Sequence, residues 1–321
     1  MKILFFTHNI FTPENPKGYR IQQYFPYLAD KGFEIELLTT KTNFTKVLKQ
    51  ASQADVVYLQ RLLLSPLKLF ALRQCAKKIV YDYDDAVMYG ARKESATRRF
   101  RFKMTARCVD AVFCGNPFLL NEAKKYRETG AYYVPTVVDT DEYPVKEHEE
   151  RKPFIVGWMG SSSTLKYLSD INELFLSFRD NRHIIFKFVA DKPSGMEGEG
   201  IVFEKWEKDK EKSLLLSFDA GIMPARDDIW SQGKCGLKLI QYMAAGLPSI
   251  AHPVGVAKDI IEDGANGFLR NDPAGWKDAI EALSKDATLR RSMGKTAREH
   301  AEAKYSLKFW GPEVAEMISS I

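Results

Sequence analysis

Three stretches of this chain carry residues able to grip an anion. In GKCGLKLIQYMAAGLPSIAHPVG (Gly233–Gly255), Lys234 and Lys238 stand four apart at a glycine-flanked helix start, and Gln241 follows. Gly233 and Gly236 let a ligand approach the backbone. The first amides of a helix are unpaired and partly positive, so a phosphate suits them. The spacing is not that of a Walker loop. Leu237, Leu239, Ile240, Tyr242 and Met243 leave little of this helix polar, which weighs against a merely solvated lysine pair. In GWMGSSSTLKYL (Gly157–Leu168), a strand ends in Gly160, Ser161–Thr164 bring hydroxyls, and Lys166 brings a full charge. A plain serine- or threonine-capped helix reads the same way. YDYDDA (Tyr81–Ala86) gathers Asp82, Asp84 and Asp85 at a strand end, as sugar- or acceptor-positioning groups or as caps of the next turn. PKGYRIQQYF (Pro16–Phe25) sets Gly18 and Arg20 at a helix start, Arg20 as a phosphate clamp or as a first-turn surface residue. His252, alone at a strand end, reads as structural.

Alternating strands and helices must position these groups. KILFFTH, EIELLTT, ADVVYLQ, KIVYDYDD (Lys78–Asp85) and AVFCGN are short, β-branched or aromatic runs suited to strands buried on both faces. Apolar spacing predicts helices over Arg20–Lys31 and Ser65–Ala76. The alternation predicts right-handed crossovers and parallel sheets. Pro135–Pro153 is rich in proline and charge and reads as a linker. The pattern then restarts with FIVGWMGS, IIFKFVA, IVFEKW, AGIMPA, PSIAHP and NGFLR. Two doubly wound units each offer a crevice beyond their strand ends. The tail from Ala287 to Ile321 is helical, either a brace between domains or a cap on the second.

At 321 residues, 45% hydrophobic and 28% charged, the chain has material for two cores. A net charge of +5 is too small for a dedicated nucleic-acid binder. Cys75, Cys108, Cys114 and Cys235 form no CxxC pair and read as reduced thiols of a cytoplasmic protein. The opening MKILFFTHNIF reads as a buried strand rather than a signal peptide, and no apolar run reaches membrane-spanning length. From Arg92 to Arg107 the net charge is +6, with Ala96, Phe100, Met104 and Cys108 recurring every four residues. Such a basic amphipathic helix suits an anionic membrane surface, or is a half-buried helix with a solvated basic face.

Gly233–Leu269 resembles the sugar-nucleotide signature of the retaining glycosyltransferases of family 4. GWMGSSSTLKYL and YDYDDA are similar to segments of a short bacterial subgroup. The resemblance spans nearly the whole chain and implies the GT-B fold. This is two Rossmann-like α/β domains facing across a cleft, with a C-terminal helix bridging back. The implied division is an acceptor-side domain over 1–140, a linker over 141–152, a nucleotide-sugar domain over 153–300 and the returning helix over 301–321. Gly233 and Gln241 stand where the family has two glutamates, the first contacting the donor sugar and the second the ribose. Gln241 can both accept and donate there. Ser161 stands in place of the phosphate-binding arginine, and Lys166 matches the family lysine. Gly18 is what remains of the glycine-rich loop near the diphosphate. Asp84 stands where the histidine of a His-Asp pair is expected. The metal-binding DxD of the other glycosyltransferase fold belongs to a single nucleotide-binding unit, which fits the repeated pattern poorly.

The reading is therefore a metal-independent retaining glycosyltransferase of polysaccharide synthesis, without cofactor. It would move sugar from a nucleotide-diphosphate sugar to a hydroxyl of a glycan or lipid-linked saccharide, in the cytoplasm or on the inner membrane face. Asp84, Lys166 and Lys238 are the expected catalytic groups, and Asp84 and Asp85 the acceptor side. Gly18, Arg20, Gly160, Ser161, Lys166, Lys234, Cys235, Gly236, Leu237, Lys238 and Gln241 are the expected donor contacts. The alternatives are a non-catalytic sugar-nucleotide-binding subunit and a GT-B epimerase.

Overall fold

The structure is a computed structural model and describes residues 1–8, 18–90, 95–150, 152–193, 195–196 and 198–321. Arg92, Lys93 and Glu94 of the basic segment, and Pro16 and Lys17 ahead of Gly18, lie outside them. The chain forms two compact units. The first comprises Met1–Val137, Asp228–Cys235 and Leu307–Ile321; the second comprises Val138–Asp227 and Gly236–Ser306.

Unit 1 begins β1 (Lys2–Thr7), α1 (Phe25–Asp30), β2 (Glu34–Thr39), α2 (Phe44–Ala51), β3 (Val56–Gln60) and α3 (Pro66–Cys75). It continues β4 (Lys78–Tyr83), α4 (Ala96–Cys108), β5 (Ala111–Cys114), α5 (Pro117–Lys124) and β6 (Ala131–Tyr133). The sheet is parallel, ordered β2-β1-β3-β4-β5-β6. Its fully buried strands are the near-continuous apolar runs expected of a sheet covered on both faces. One face packs Leu4, Val57, Ile79 and Val112 against Val47 of α2, Leu72 of α3, Phe102 of α4 and Leu119 of α5. The other packs Ile3, Phe5, Tyr58 and Phe113 against Leu28 of α1 and Val314 and Ile318 near the chain's end.

Two expected elements are redrawn. Residues 20–24 form a turn and a 3₁₀ segment, and α1 starts only at Phe25, with Pro26 in its first turn. Pro26 has no N–H to bond back along a helix running from Arg20, so a helix begins at it instead. Helix α4 does not bury the Ala96–Phe100–Met104–Cys108 stripe. Its buried positions are Phe102, Thr105 and Ala106, and Phe100 is 52% exposed.

Unit 2 has β7 (Phe154–Met159), α6 (Lys166–Ser169), α7 (Asn172–Leu176), β8 (Ile184–Ala190), β9 (Ile201–Lys205), α8 (Glu211–Leu216) and β10 (Ala220–Met223). The chain then enters unit 1 for α9 (Ile229–Gln232) and returns. It resumes with α10 (Leu237–Ala244), β11 (Ser249–Ala251), α11 (Ala257–Ile260), β12 (Gly267–Leu269), α12 (Pro273–Lys285) and α13 (Ala287–Lys304). The last helix, α14 (Leu307–Ser319), belongs to unit 1. The second sheet is also parallel, ordered β12-β11-β10-β7-β8-β9, around a core of Trp158, Phe186, Phe188, Ile222 and Trp276. Residues 141–150, within the stretch read as a linker, belong to unit 2, where His148 is buried and bonds the Gly246 carbonyl at 2.8 Å. No helix of the described residues is long and apolar enough to cross a membrane.

Burial holds the His148, His252 and His300 imidazoles of unit 2 below their ordinary pKa of 6.5. Their unfolded forms take up protons first, so their neutral state supports folding above 6.5 and that support is lost as pH falls below it. Burial raises Asp82 of unit 1 to about 6, which acts in the opposite sense. The informative comparison is therefore between the wild type and His148→Gln, which leaves Asp82 in place. Urea unfolding at about pH 7.5 and about pH 5.5 should show a smaller acid-induced loss in the variant. An equal loss in both would contradict the assignment.

Candidate functional site

In the second sheet the crossovers diverge between β7 and β10, and open α/β sheets bind ligands beyond the strand ends at such a point. Gly160 and Ser161 follow β7 there. Lys238, in the first turn of α10, brings its Nζ to 3.5 Å from Thr164 Oγ1 and 5.2 Å from the Trp158 ring centre. A side chain at 160 would begin 2.5 Å from Lys238 Cε and 2.7 Å from Trp158 Cζ2. Glycine at 160 is what allows the lysine to lie across the end of β7. Gly236 caps α10 with φ 69° and brings no side chain to the helix start, whose first turn begins at Leu237. Ile260 fills the space a Gly236 side chain would need.

Several expected donor contacts are placed differently. The amides after β7, expected to be unpaired, are partly taken: Asp191 accepts from the Ser162 N–H at 2.6 Å and its hydroxyl at 3.0 Å, and Thr164 N–H donates to the Ser161 carbonyl. The bond from Ser162 holds the Asp191 carboxyl below its usual range. A protein carboxylate thus occupies part of this anion position. Ser161 Oγ lies 2.7 Å from Ser163 Oγ. Lys166 is exposed and lies over the Tyr167 ring at 5.0 Å, a ring also approached by Arg226 at 6.0 Å. Gln241 is buried, and its Nε2 donates to Tyr143 Oη at 3.2 Å and Glu211 Oε1 at 3.0 Å. The other Glu211 oxygen accepts from Trp206 Nε1 at 3.0 Å. Glu211 is a carboxylate that no motif announces. His252 Nδ1 accepts from the Ala225 N–H at 3.0 Å, a structural role.

Lys234 does not share a face of α10 with Lys238. It precedes the helix, belongs to unit 1 with Gly233 and Cys235, and pairs with Asp85 at 2.9 Å. The cause is a partner distant in sequence: Asn116, buried after β5, donates from Nδ2 to the Gln232 and Lys234 carbonyls at 3.0 and 2.8 Å, anchoring this loop. Gly233 is bare for packing reasons, because a side chain there would begin 2.5 Å from Ala86 Cβ. No carboxylate fits in its place. Cys235 donates to the Asp84 carbonyl at 3.2 Å, and burial pushes its thiol up, so it stays neutral.

Around them the strand ends of unit 1 carry matched charges. Arg20 is buried, not a first-turn surface residue, and its guanidinium is engaged within unit 1. Its guanidinium pairs with Asp82, one bond being 3.3 Å, and donates to the Val134 carbonyl at 2.5 Å. Arg61 follows β3 and pairs with Asp85, and its Nε lies 3.2 Å from Asp84 Oδ1. Asp84 Oδ1 is buried, with this ion pair rather than a hydrogen bond as its contact. Arg61 has φ 59°, a left-handed conformation costly for a residue with a side chain. It sits where the first sheet's crossovers diverge, beside β1. A lone arginine after VVYLQ gives no sequence signal. Gly18 lies in the turn that accepts the Ile21 and Gln23 amides. Among the described residues, no three His, Cys, Asp or Glu side chains group as a metal site.

Residues 181–286 match the family model described as glycosyl transferases group 1. The chain is similar to D-inositol 3-phosphate glycosyltransferase of Paenarthrobacter aurescens, 35% identical over 93 residues, which is 28% of this chain and 22% of that protein. It is also similar to N-acetyl-alpha-D-glucosaminyl L-malate synthase of Bacillus anthracis, 41% identical over 66 residues, or 20% and 17% of the two chains. The match thus spans about a fifth of these curated relatives' own length. Among solved structures, Anabaena Alr3699/HepE in complex with UDP and glucose aligns over 100% of both chains, with TM-score 0.78 and 16% identity. Sucrose-phosphate synthase from Thermosynechococcus elongatus aligns over 99% and 98%, with TM-score 0.73 and 15% identity. These likenesses show the fold: it is the two-domain α/β GT-B fold.

Proposed function

We propose that this chain is a retaining, metal-independent glycosyltransferase that takes its sugar from a nucleotide-diphosphate sugar. Its acceptor would be a hydroxyl of a glycan or lipid-linked saccharide in cell-surface polysaccharide synthesis on the cytoplasmic side. The observation that carries the reading is Lys238, laid across Gly160 and Trp158 beside the side-chain-free start of α10. A diphosphate placed there meets a full positive charge and helix-start amides. The family match, and a solved neighbour holding UDP and glucose, support the same ligand class.

In the reaction, the acceptor oxygen bonds the anomeric carbon as the bond from that carbon to the diphosphate oxygen breaks. The acceptor proton passes to the departing phosphate on the same face, so configuration is kept. Charge grows on the diphosphate, where Lys238 and the α10 amides stabilise it, with Lys166 as a further cation of the same unit. Asp84 and Asp85 are assigned to the acceptor, as carboxylates at the end of the fourth strand of unit 1. Arg61 and Lys234 neutralise these carboxylates.

Because lysine and amides carry the diphosphate, transfer should proceed in excess chelator. Nucleoside diphosphate release would be followed by a coupled assay, and the product anomer by proton NMR. Activity lost in chelator and restored by Mn²⁺ or Mg²⁺, or an inverted product, would contradict the proposal. A second reading, a sugar-nucleotide-binding subunit without catalysis, is favoured by one observation: Gly233 leaves no room for a carboxylate at the donor sugar.

A further inference from the structure

Helices α2, α3 and α4 lie side by side over one face of the first sheet. Two basic residues on α2, two on α3 and five on α4 give nine positive charges, with no Asp or Glu in the three helices; one of the nine, Arg73, pairs with Asp110 at 2.5 Å. The whole chain nets +5, so everything outside these helices is net acidic by four. The same layer holds large apolar side chains in solvent. Leu67 is 83% exposed and Phe70 is 66% exposed, three residues apart on one face of α3, and Phe100 is exposed on neighbouring α4. Single exposed apolar residues are ordinary, but apolar groups gathered within a field of one charge mark a docking surface. Lys68 lies over the Phe44 ring at 5.1 Å, joining α3 to α2.

We infer that this basic layer is a docking face for an anionic lipid bilayer, with Leu67 and Phe70 as the side chains that enter it. The charge argues for the partner. Basic residues near an anionic membrane each strengthen attraction by up to about fivefold, and apolar side chains add burial at the headgroup boundary. A nucleic acid would meet the cations but offers no reason for exposed leucine and phenylalanine beside them, whereas a bilayer takes up both; an acidic protein, which could also bury them, is the partner if vesicles stay unbound. The inference differs from a single amphipathic helix over Arg92–Arg107. The anchors lie on α3, outside the charge run, and α4 turns Phe102 inward. It requires only unit 1 and holds whether or not unit 2 binds a sugar nucleotide.

The test is co-sedimentation of the full chain with phosphatidylcholine vesicles and with vesicles containing phosphatidylglycerol. The wild type should bind the anionic vesicles, far less the neutral ones, and release as salt rises. Leu67→Ser with Phe70→Ser should weaken binding at least about tenfold, and Arg99→Gln with Arg107→Gln similarly. Thermal unfolding midpoints should be close to wild type in both variants, showing that they fold. Equal binding to both vesicle types, no binding to either, wild-type binding by the Leu67/Phe70 variant, or RNA binding without vesicle binding would overturn the inference.

Discussion

Lys238→Ala is expected to lower the proposed glycosyl transfer about a hundredfold while the protein stays folded. The lysine sits over Trp158 and against Thr164, where the proposed reading places the leaving diphosphate. One such group contributes on the order of 3 kcal/mol to a transition state, or about a hundredfold in rate. Its effect should appear mainly in kcat, because the charge it meets is greater in the transition state than in the bound donor. Lys238→Arg should recover part of the rate, limited by the narrow space over Gly160. Steady-state kinetics of the folded variants decide it. Near wild-type turnover in Lys238→Ala would remove the lysine from the mechanism.

The largest stability effect is expected at Arg20→Ala. Arg20 and Asp82 are both buried and bond one another inside unit 1. Removing one partner leaves an unpaired buried charge, which costs about 3–5 kcal/mol. Asp82, already raised to about 6 by burial, would take up a proton more readily without the guanidinium. The cost should therefore shrink at acidic pH. Urea unfolding across pH measures it, with Arg20→Met/Asp82→Asn expected to recover much of the loss. An unchanged unfolding midpoint together with weakened donor binding would instead make Arg20 a phosphate ligand.

Much of the fold was legible in the sequence because its signals are local. Unbroken apolar runs such as KIVYDY and short polar breaks fix a parallel, doubly covered sheet, and the restart at FIVGWM marks the second unit. The Gly160–Thr164 and Lys238 group was legible for the same reason, since each half sits in its own recognisable strand-to-helix turn. What stayed hidden depends on distant partners. Arg20 reads as a helix-start cation until Asp82, 62 positions later, is seen to bury it. Gly233 reads as room for a ligand until Ala86 fills that room. Lys234 and Lys238 share a spacing of four, but the helix begins between them and the chain changes unit there. Arg61 has no motif, and its importance lies in its backbone angle and in two aspartates from the next strand's end. On α4, spacing alone chose the Phe100 stripe, whereas Phe102 and Ala106 turn to the core.

If the proposed function holds, unit 2 both binds a nucleotide-diphosphate sugar and supports its cleavage. Purified protein should be incubated with a panel of such sugars, following nucleoside diphosphate release alongside the thermal midpoint. Binding to the folded state raises the midpoint. The account predicts that a donor which raises the midpoint is also cleaved, slowly to water and faster with an acceptor, and that Lys238→Ala suppresses the cleavage. A donor that raises the midpoint yet stays intact under all these conditions, or a panel in which nothing binds, would contradict it.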